Sequence, residues 1–162
     1  MPALQCGHMR LTLLSLLALA ALAACSSSSP PGTKAVPADE AGRLLLDRNW
    51  IDRMPETERD RLHVYRFVPS MGGGVFQDRT LFKGTFELFS FTVDGEQLRF
   101  VLHETRQDVT SRFTIEPISG PAPFDLKLTI ADDPRGPKVY FGMRGETDRD
   151  GSRLQQRLSA LR

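Results

Sequence analysis

Few side chains in this 162-residue sequence stand at spacings that support chemistry. His63 and His103 lie in the body of the chain, each within an alternating run read as a strand. His103 adjoins Glu104, so those two side chains point to opposite faces and cannot pair. A metal centre needs three or four ligands, which would require His63 and His103 to converge with Glu104 or Asp108; the expectation is two unrelated histidines. Asp132 and Asp133 precede Pro134 but lack the further spaced oxygens of a calcium loop, so they read as a turn. Gly72-Gly73-Gly74 is followed by neither Lys-Ser nor Lys-Thr and opens no helix, which favours a turn over a phosphate cradle. The sequence holds no His-Glu-x-x-His, Gly-x-Ser-x-Gly or Cys-x-x-Cys run. No catalytic residue, metal or cofactor is assigned, and a non-enzymatic role is expected.

One cysteine does have a chemistry. An apolar run from Leu11 closes on Leu22, Ala23, Ala24 and Cys25. At about 14 residues, with Thr12 and Ser15 inside it, the run is too short for a spanning helix, which needs about 20. It fits the hydrophobic region of a signal peptide behind Arg10, with translation starting at Met9. The Leu-Ala-Ala-Cys junction resembles the lipobox of bacterial lipoproteins. That resemblance implies cleavage before Cys25, a diacylglyceryl thioether on its sulfur and an acyl group on the new amino terminus. Two or three chains hold a protein on a membrane where one binds only reversibly. Ser26 rather than Asp follows the cysteine, which by the same resemblance places the protein in the bacterial cell envelope, on the outer membrane facing the periplasm.

The resulting organisation is a signal peptide over 1–24, a lipidated Cys25 with a Ser/Pro tether over 25–38, and a single β-rich domain over 39–162. The tether, beginning Ser26-Ser27-Ser28-Ser29-Pro30-Pro31, has too few apolar side chains to order itself. Cys6 leaves with the leader, so no thiol remains for a disulfide or a nucleophile. Arg10 is the leader's one charged residue, so the formal charge falls from +1 to zero after cleavage. With the two signs interleaved there is no basic stripe, and nucleic acid is not an expected partner.

Past the tether the apolar residues recur with period two. Leu62 to Phe67, Phe86 to Phe89, Leu98 to His103, Val109 to Glu116 and Asp125 to Ile130 all alternate, which is the strand signal. Val75 to Phe82 and Val139 to Met143 read as two more. Asp94-Gly95 marks a hairpin, and Asp132 to Pro137 a loop. A polar face opposite an apolar one argues for an antiparallel sheet with one side in water. Helix is expected only at the edges. Ala38 to Asn49 suits a helical turn or a lead-in strand, Arg53 to Arg61 is helix-friendly, and Arg153 to Leu161 spaces Leu154, Leu158 and Leu161 as a short amphipathic helix. The fold class is therefore all-β, an antiparallel meander closing as a small up-and-down barrel or a sandwich, with a short C-terminal helix.

Leu46-Asp47-Arg48-Asn49-Trp50 ahead of a run of meander hairpins resembles the opening of lipocalin-like, or calycin-like, barrels, over a pattern from Leu44 to Met143. In that family a Trp on the first strand closes one barrel end, with a Gly two residues before it and a late Arg stacked on its ring. Here Arg48 stands at the Gly position, the family's second signature is not recognisable, and Arg144 follows the last strand where the stacking Arg is expected. Trp50 is read equally well as an ordinary core aromatic.

An eight-stranded barrel is just wide enough for packed side chains or one small ligand. The chain holds ten phenylalanines, and Phe86, Phe89, Phe100, Phe113 and Leu126 are the candidate lining of an apolar pocket. The first functional expectation is accordingly a membrane-anchored envelope lipoprotein that binds a small hydrophobic ligand. The alternative is an assembly lipoprotein that meets an envelope protein through a sheet edge or an apolar face. The first predicts a cavity, and the second a filled barrel with an exposed patch.

Overall fold

The structure, a computed structural model, describes residues 34–146 and 152–160. The expected signal peptide, Cys25 and the first part of the expected tether lie outside the described residues. Lys34 to Pro37 lead into helix α1 (Ala38–Leu45), then into strands β1 (Asn49–Ile51), β2 (Leu62–Val68), β3 (Gly73–Arg79), β4 (Gly84–Asp94), β5 (Gln97–Leu102), β6 (Gln107–Pro117), β7 (Leu126–Ile130) and β8 (Val139–Gly142), with helix α2 (Ser152–Ser159) following. All neighbouring strands are antiparallel and in chain order. β8 returns to β1 through Ile51↔Phe141, which closes the barrel. Closure removes the free strand edges that an open sandwich would leave, so between barrel and sandwich the barrel is the outcome.

Alternation sorts the side chains. Tyr65 and Phe67, Phe89, Leu98 and Phe100, Phe113 and Ile115, Leu126 and Leu128, and Tyr140 fill the interior. One rim is closed by α1, whose Ala41, Leu44 and Leu45 join that core. Asp39 and Glu40 lie in its first turn and Arg43 in its last, each on the side that suits the helix dipole. Of the two readings of Ala38 to Asn49, the helical one is the outcome, as α1, and the first strand begins only at Asn49. Val36 N–H donates to the Ile115 carbonyl at 2.9 Å, so the segment before α1 already pairs with β6.

Three local expectations change. Arg53 to Arg61 forms turns rather than a helix, because the Asp60 carboxylate accepts the backbone N–H groups of Glu56 and Thr57, each at 2.9 Å. That is the side-chain competition with helix that Asp offers. His103 and Glu104 belong to the β5–β6 turn and not to a strand. The hairpin after β4 has Gly95 and Glu96 as its central pair, since Asp94 still pairs with Gln97, and Gly95 supplies the positive φ of 57°.

The outer side of the sheet is not everywhere in water. Behind β1, β2 and β8, a second cluster gathers Ile51, Leu62, Val64, Leu81, Phe124 and Leu158. Leu158 brings α2 onto this wall as the amphipathic spacing predicts; the side chain of Leu154 and all of Leu161 lie outside the described residues. Arg66 and Val68 are buried on the same outer side of β2, which is why that strand shows almost no polar face.

Candidate functional site

Four of the five proposed lining residues, Phe89, Phe100, Phe113 and Leu126, meet inside the barrel and are at most 1% exposed. Phe89 also borders a surface cleft beside Gly74 and Leu88, but inside the barrel the rings pack against one another. Phe89 lies 5.6 Å from Phe100, 5.6 Å from Phe67 and 5.6 Å from Tyr65 between ring centroids, and Tyr65 meets Phe76 at 4.8 Å and Tyr140 at 5.1 Å. Separations of 4.5–7 Å in tilted and edge-to-face pairs are the contact geometry of aromatic cores. Two glycines give the rings room. A Cβ on Gly74 would sit 2.4 Å from the Phe89 ring, and one on Gly142 would sit 2.8 Å from Trp50.

Phe86 does not belong to this group. It pairs with Gln77 across β3–β4 on the outer face, three residues and one change of parity from Phe89, and is 69% exposed. Leu88, paired with Val75 on the same face, is 51% exposed, and Phe82 and Met71 are 60% and 68% exposed at the two ends of the hairpin wall. The interior and the outer wall are therefore both apolar on the same strand. Single exposed apolar residues are ordinary, but several on one face mark an interaction surface. A cleft of about 150 Å³ opens between Met71, Val75, Leu88 and His103 on this wall.

At the rim near α1, Trp50 is fully buried and its indole N–H donates to the Leu45 carbonyl at 3.0 Å. The Arg expected on its ring is not Arg144, which pairs with Glu40 at 3.0 Å on the surface. Arg48 takes that place, its guanidinium 6.0 Å from the ring centroid and its Nη1 donating to the Met143 carbonyl at 2.8 Å. A side chain two residues before the Trp thus occupies the stacking position, and burial pushes its pKa down. Just outside this rim, Asn49 Nδ2 donates to Glu146 Oε1 at 2.6 Å. Glu146 is only 1% exposed, and burial raises its carboxyl above the usual range.

The opposite rim is closed by polar groups of the Asp132–Pro137 segment, where a plain turn is expected from sequence. Asp133, buried in the β7–β8 loop, accepts Tyr65 Oη at 2.8 Å and Tyr140 Oη at 2.5 Å. It also accepts the backbone N–H of Arg135 at 2.8 Å and of Lys138 at 3.3 Å. Desolvation first, and the Asp133 carboxylate second, push both phenol pKa values far above normal. Arg135 lies 5.3 Å over the Phe76 ring and pairs with Glu87 at 2.7 Å. This loop is the floor of the barrel. The available clue was that two tyrosines at inward strand positions must each find a partner for the hydroxyl.

The histidines do not converge. His63 Nδ1 is 2.8 Å from Asp52 Oδ2, and its ring stacks 5.8 Å from Phe76. Asp78, 3.7 Å from Nε2, is held by Arg61, whose hydrogen bonds and, after them, whose charge keep its carboxyl below the usual range. His103 Nε2 faces Ser90 Oγ at 3.1 Å on the outer wall. Among the described residues no cluster of His, Cys, Asp and Glu could hold a metal ion. Neither family models, nor curated proteins, nor solved structures give a match to this chain.

Proposed function

We propose that the protein is a lipid-anchored component of the bacterial cell envelope that works through the outer wall of its barrel rather than through its interior. The observation that carries this reading is the double allegiance of β4, which buries Phe89 among other rings and presents Phe86 and Leu88 to solvent. Closure of the barrel removes the sheet edge as a docking element, which leaves the apolar wall. The carrier reading, with a hydrophobic molecule between Phe89, Phe100, Phe113 and Leu126, requires those rings to part, and close-packed interiors resist that. Arg48 over Trp50 at a closed barrel end supports a calycin-like plan, with the stacking cation supplied from the start of the chain.

The anchoring half of the proposal rests on Cys25 behind Leu22-Ala23-Ala24, with the outer membrane, periplasmic side, as the site. Labelled palmitate is expected to enter the wild-type chain and not Cys25→Ala; label in the variant overturns the anchor. Hydroxyl-radical footprinting tests the wall. Met71, Phe86 and Leu88 are expected to be less oxidised in intact envelopes than in the purified protein, and equal oxidation in the two samples removes the outer wall as the working surface.

A further inference from the structure

We infer that the occupant of the apolar wall is the bilayer itself, so that the barrel lies with the β3–β4 hairpin on an anionic lipid surface. The inference rests on the anchored reading of Cys25 and names what that anchored domain touches.

Three observations converge on a lipid surface. The first is reach. Nine peptide steps separate Cys25 from Lys34, the first described residue, and at full extension they span about 30 Å. The eleven residues of β4 alone run about 36 Å. An anchor on Cys25 therefore keeps the barrel within about its own length of the membrane at all times. The second is the point of entry. Lys34 leads directly into α1, and α1 lies beside the turn at Pro69–Met71, since Gly42, Arg43 and Leu46 share a cleft with Pro69, Gly72 and Gly73. The chain thus enters on the rim that carries Met71, one end of the exposed wall.

The third is charge. Along the outer face of the hairpin, Val75, Gln77 and Arg79 on β3 oppose Phe86 and Leu88 on β4, with Phe82 and Lys83 in the connecting turn. Arg79 spends its guanidinium on the Thr80 and Leu81 carbonyls and on Gln77, not on a carboxylate. The acidic residues of these strands face elsewhere: Glu87 goes to Arg135 and Asp78 to Arg61. Aromatic and aliphatic side chains that insert among headgroups beside the Lys83 ammonium match the chemistry of an anionic membrane interface; the carboxylates close to the wall belong to neighbouring segments, Asp39 on α1 at the Met71 end and Glu58, whose carbonyl accepts the Leu81 N–H, before β2.

The test uses the full chain, purified from its host with its processing intact. Phe86→Trp places an indole at an exposed position, and Thr129→Trp places one on the outer face of β7, across the barrel; Trp50 is buried in both. Each protein is reconstituted in phosphatidylethanolamine and phosphatidylglycerol vesicles that contain brominated lipid. The expected result is severalfold stronger quenching in Phe86→Trp than in Thr129→Trp, and a loss of most of that difference on Lys83→Glu. Equal quenching at the two positions overturns the inference. An indole at position 86 that bromolipid does not quench, but that native envelopes shield from acrylamide, overturns it in favour of a protein partner. Because the indole reports without any thiol, the mass of the Cys25 peptide is read separately on the same sample. An unmodified Cys25 overturns the anchor alone, and a lipidated Cys25 with equal quenching overturns the bilayer contact alone.

Discussion

Strand β4 carries large apolar side chains on both faces, and they meet opposite fates. Inward, Phe89 and Phe91 meet Phe67 edge-to-face and Phe89 packs at a tilt on Phe100, filling the barrel interior. Outward, Phe86 and Leu88 stand in water. Hydrophobicity alone therefore does not assign a side chain to the core. Strand parity does, and the parity of β4 is set by its partners, with Phe86 opposite Gln77 and Phe89 opposite Gly74, whose missing side chain leaves room for the ring. A one-residue slip would exchange the faces, and Gly74 stands against it because only a residue without Cβ fits beside Phe89.

The contrast can be broken first in the interior. Phe100→Ala is expected to cost about 4 kcal/mol in urea unfolding, the range for deleting a large ring from a packed core. A loss below about 1 kcal/mol would mean that the interior is loose. Asp133→Ala should cost about 3 kcal/mol, because Tyr65 and Tyr140 are left as buried donors without an acceptor and each such group costs about 1–3 kcal/mol; the same titration measures it. Gly142→Ala drives a methyl group into the Trp50 ring and is expected to cost about 2 kcal/mol, typical of overpacking. A shift of the Trp50 emission maximum would accompany it.

Glu146 sharpens the comparison at the rim. Burial raises its folded pKa above the unfolded carboxyl value of about 4.3. The folded state thus binds the proton more tightly, and stability is full below the unfolded pKa and declines as pH rises through the folded one. Glu146→Gln should therefore raise the melting temperature at pH 7 and leave it unchanged near pH 4. The smallest effect belongs to the outer wall, where Phe86→Ala should change stability by less than about 0.5 kcal/mol. A larger loss would place its ring in a packed environment.

Much of this architecture was legible in the sequence because period two survives wherever one face is wet. β5, β6 and β7 follow their apolar positions, and Leu98, Phe113 and Leu128 all point inward. β2 was less transparent. Its Leu62 and Val64 are covered by a second cluster that brings Phe124 and Leu158 from distant segments, and long-range cover leaves no local pattern. The same reason hid the floor of the barrel. Asp133 looks like a turn residue in isolation, and its partners Tyr65 and Tyr140 lie on β2 and β8. Phe86 was misplaced among the lining residues because an aromatic run that is apolar on both faces carries no parity of its own.

The central claim is that the barrel is filled and works from outside. Native mass spectrometry of the protein purified from its own host, with organic extraction of the same sample, tests it most directly. The account predicts a mass explained by the processed chain and its Cys25 lipid alone. A second apolar molecule at near-stoichiometric amount, released on unfolding, would contradict it and return Phe89, Phe100, Phe113 and Leu126 to the role of a ligand pocket.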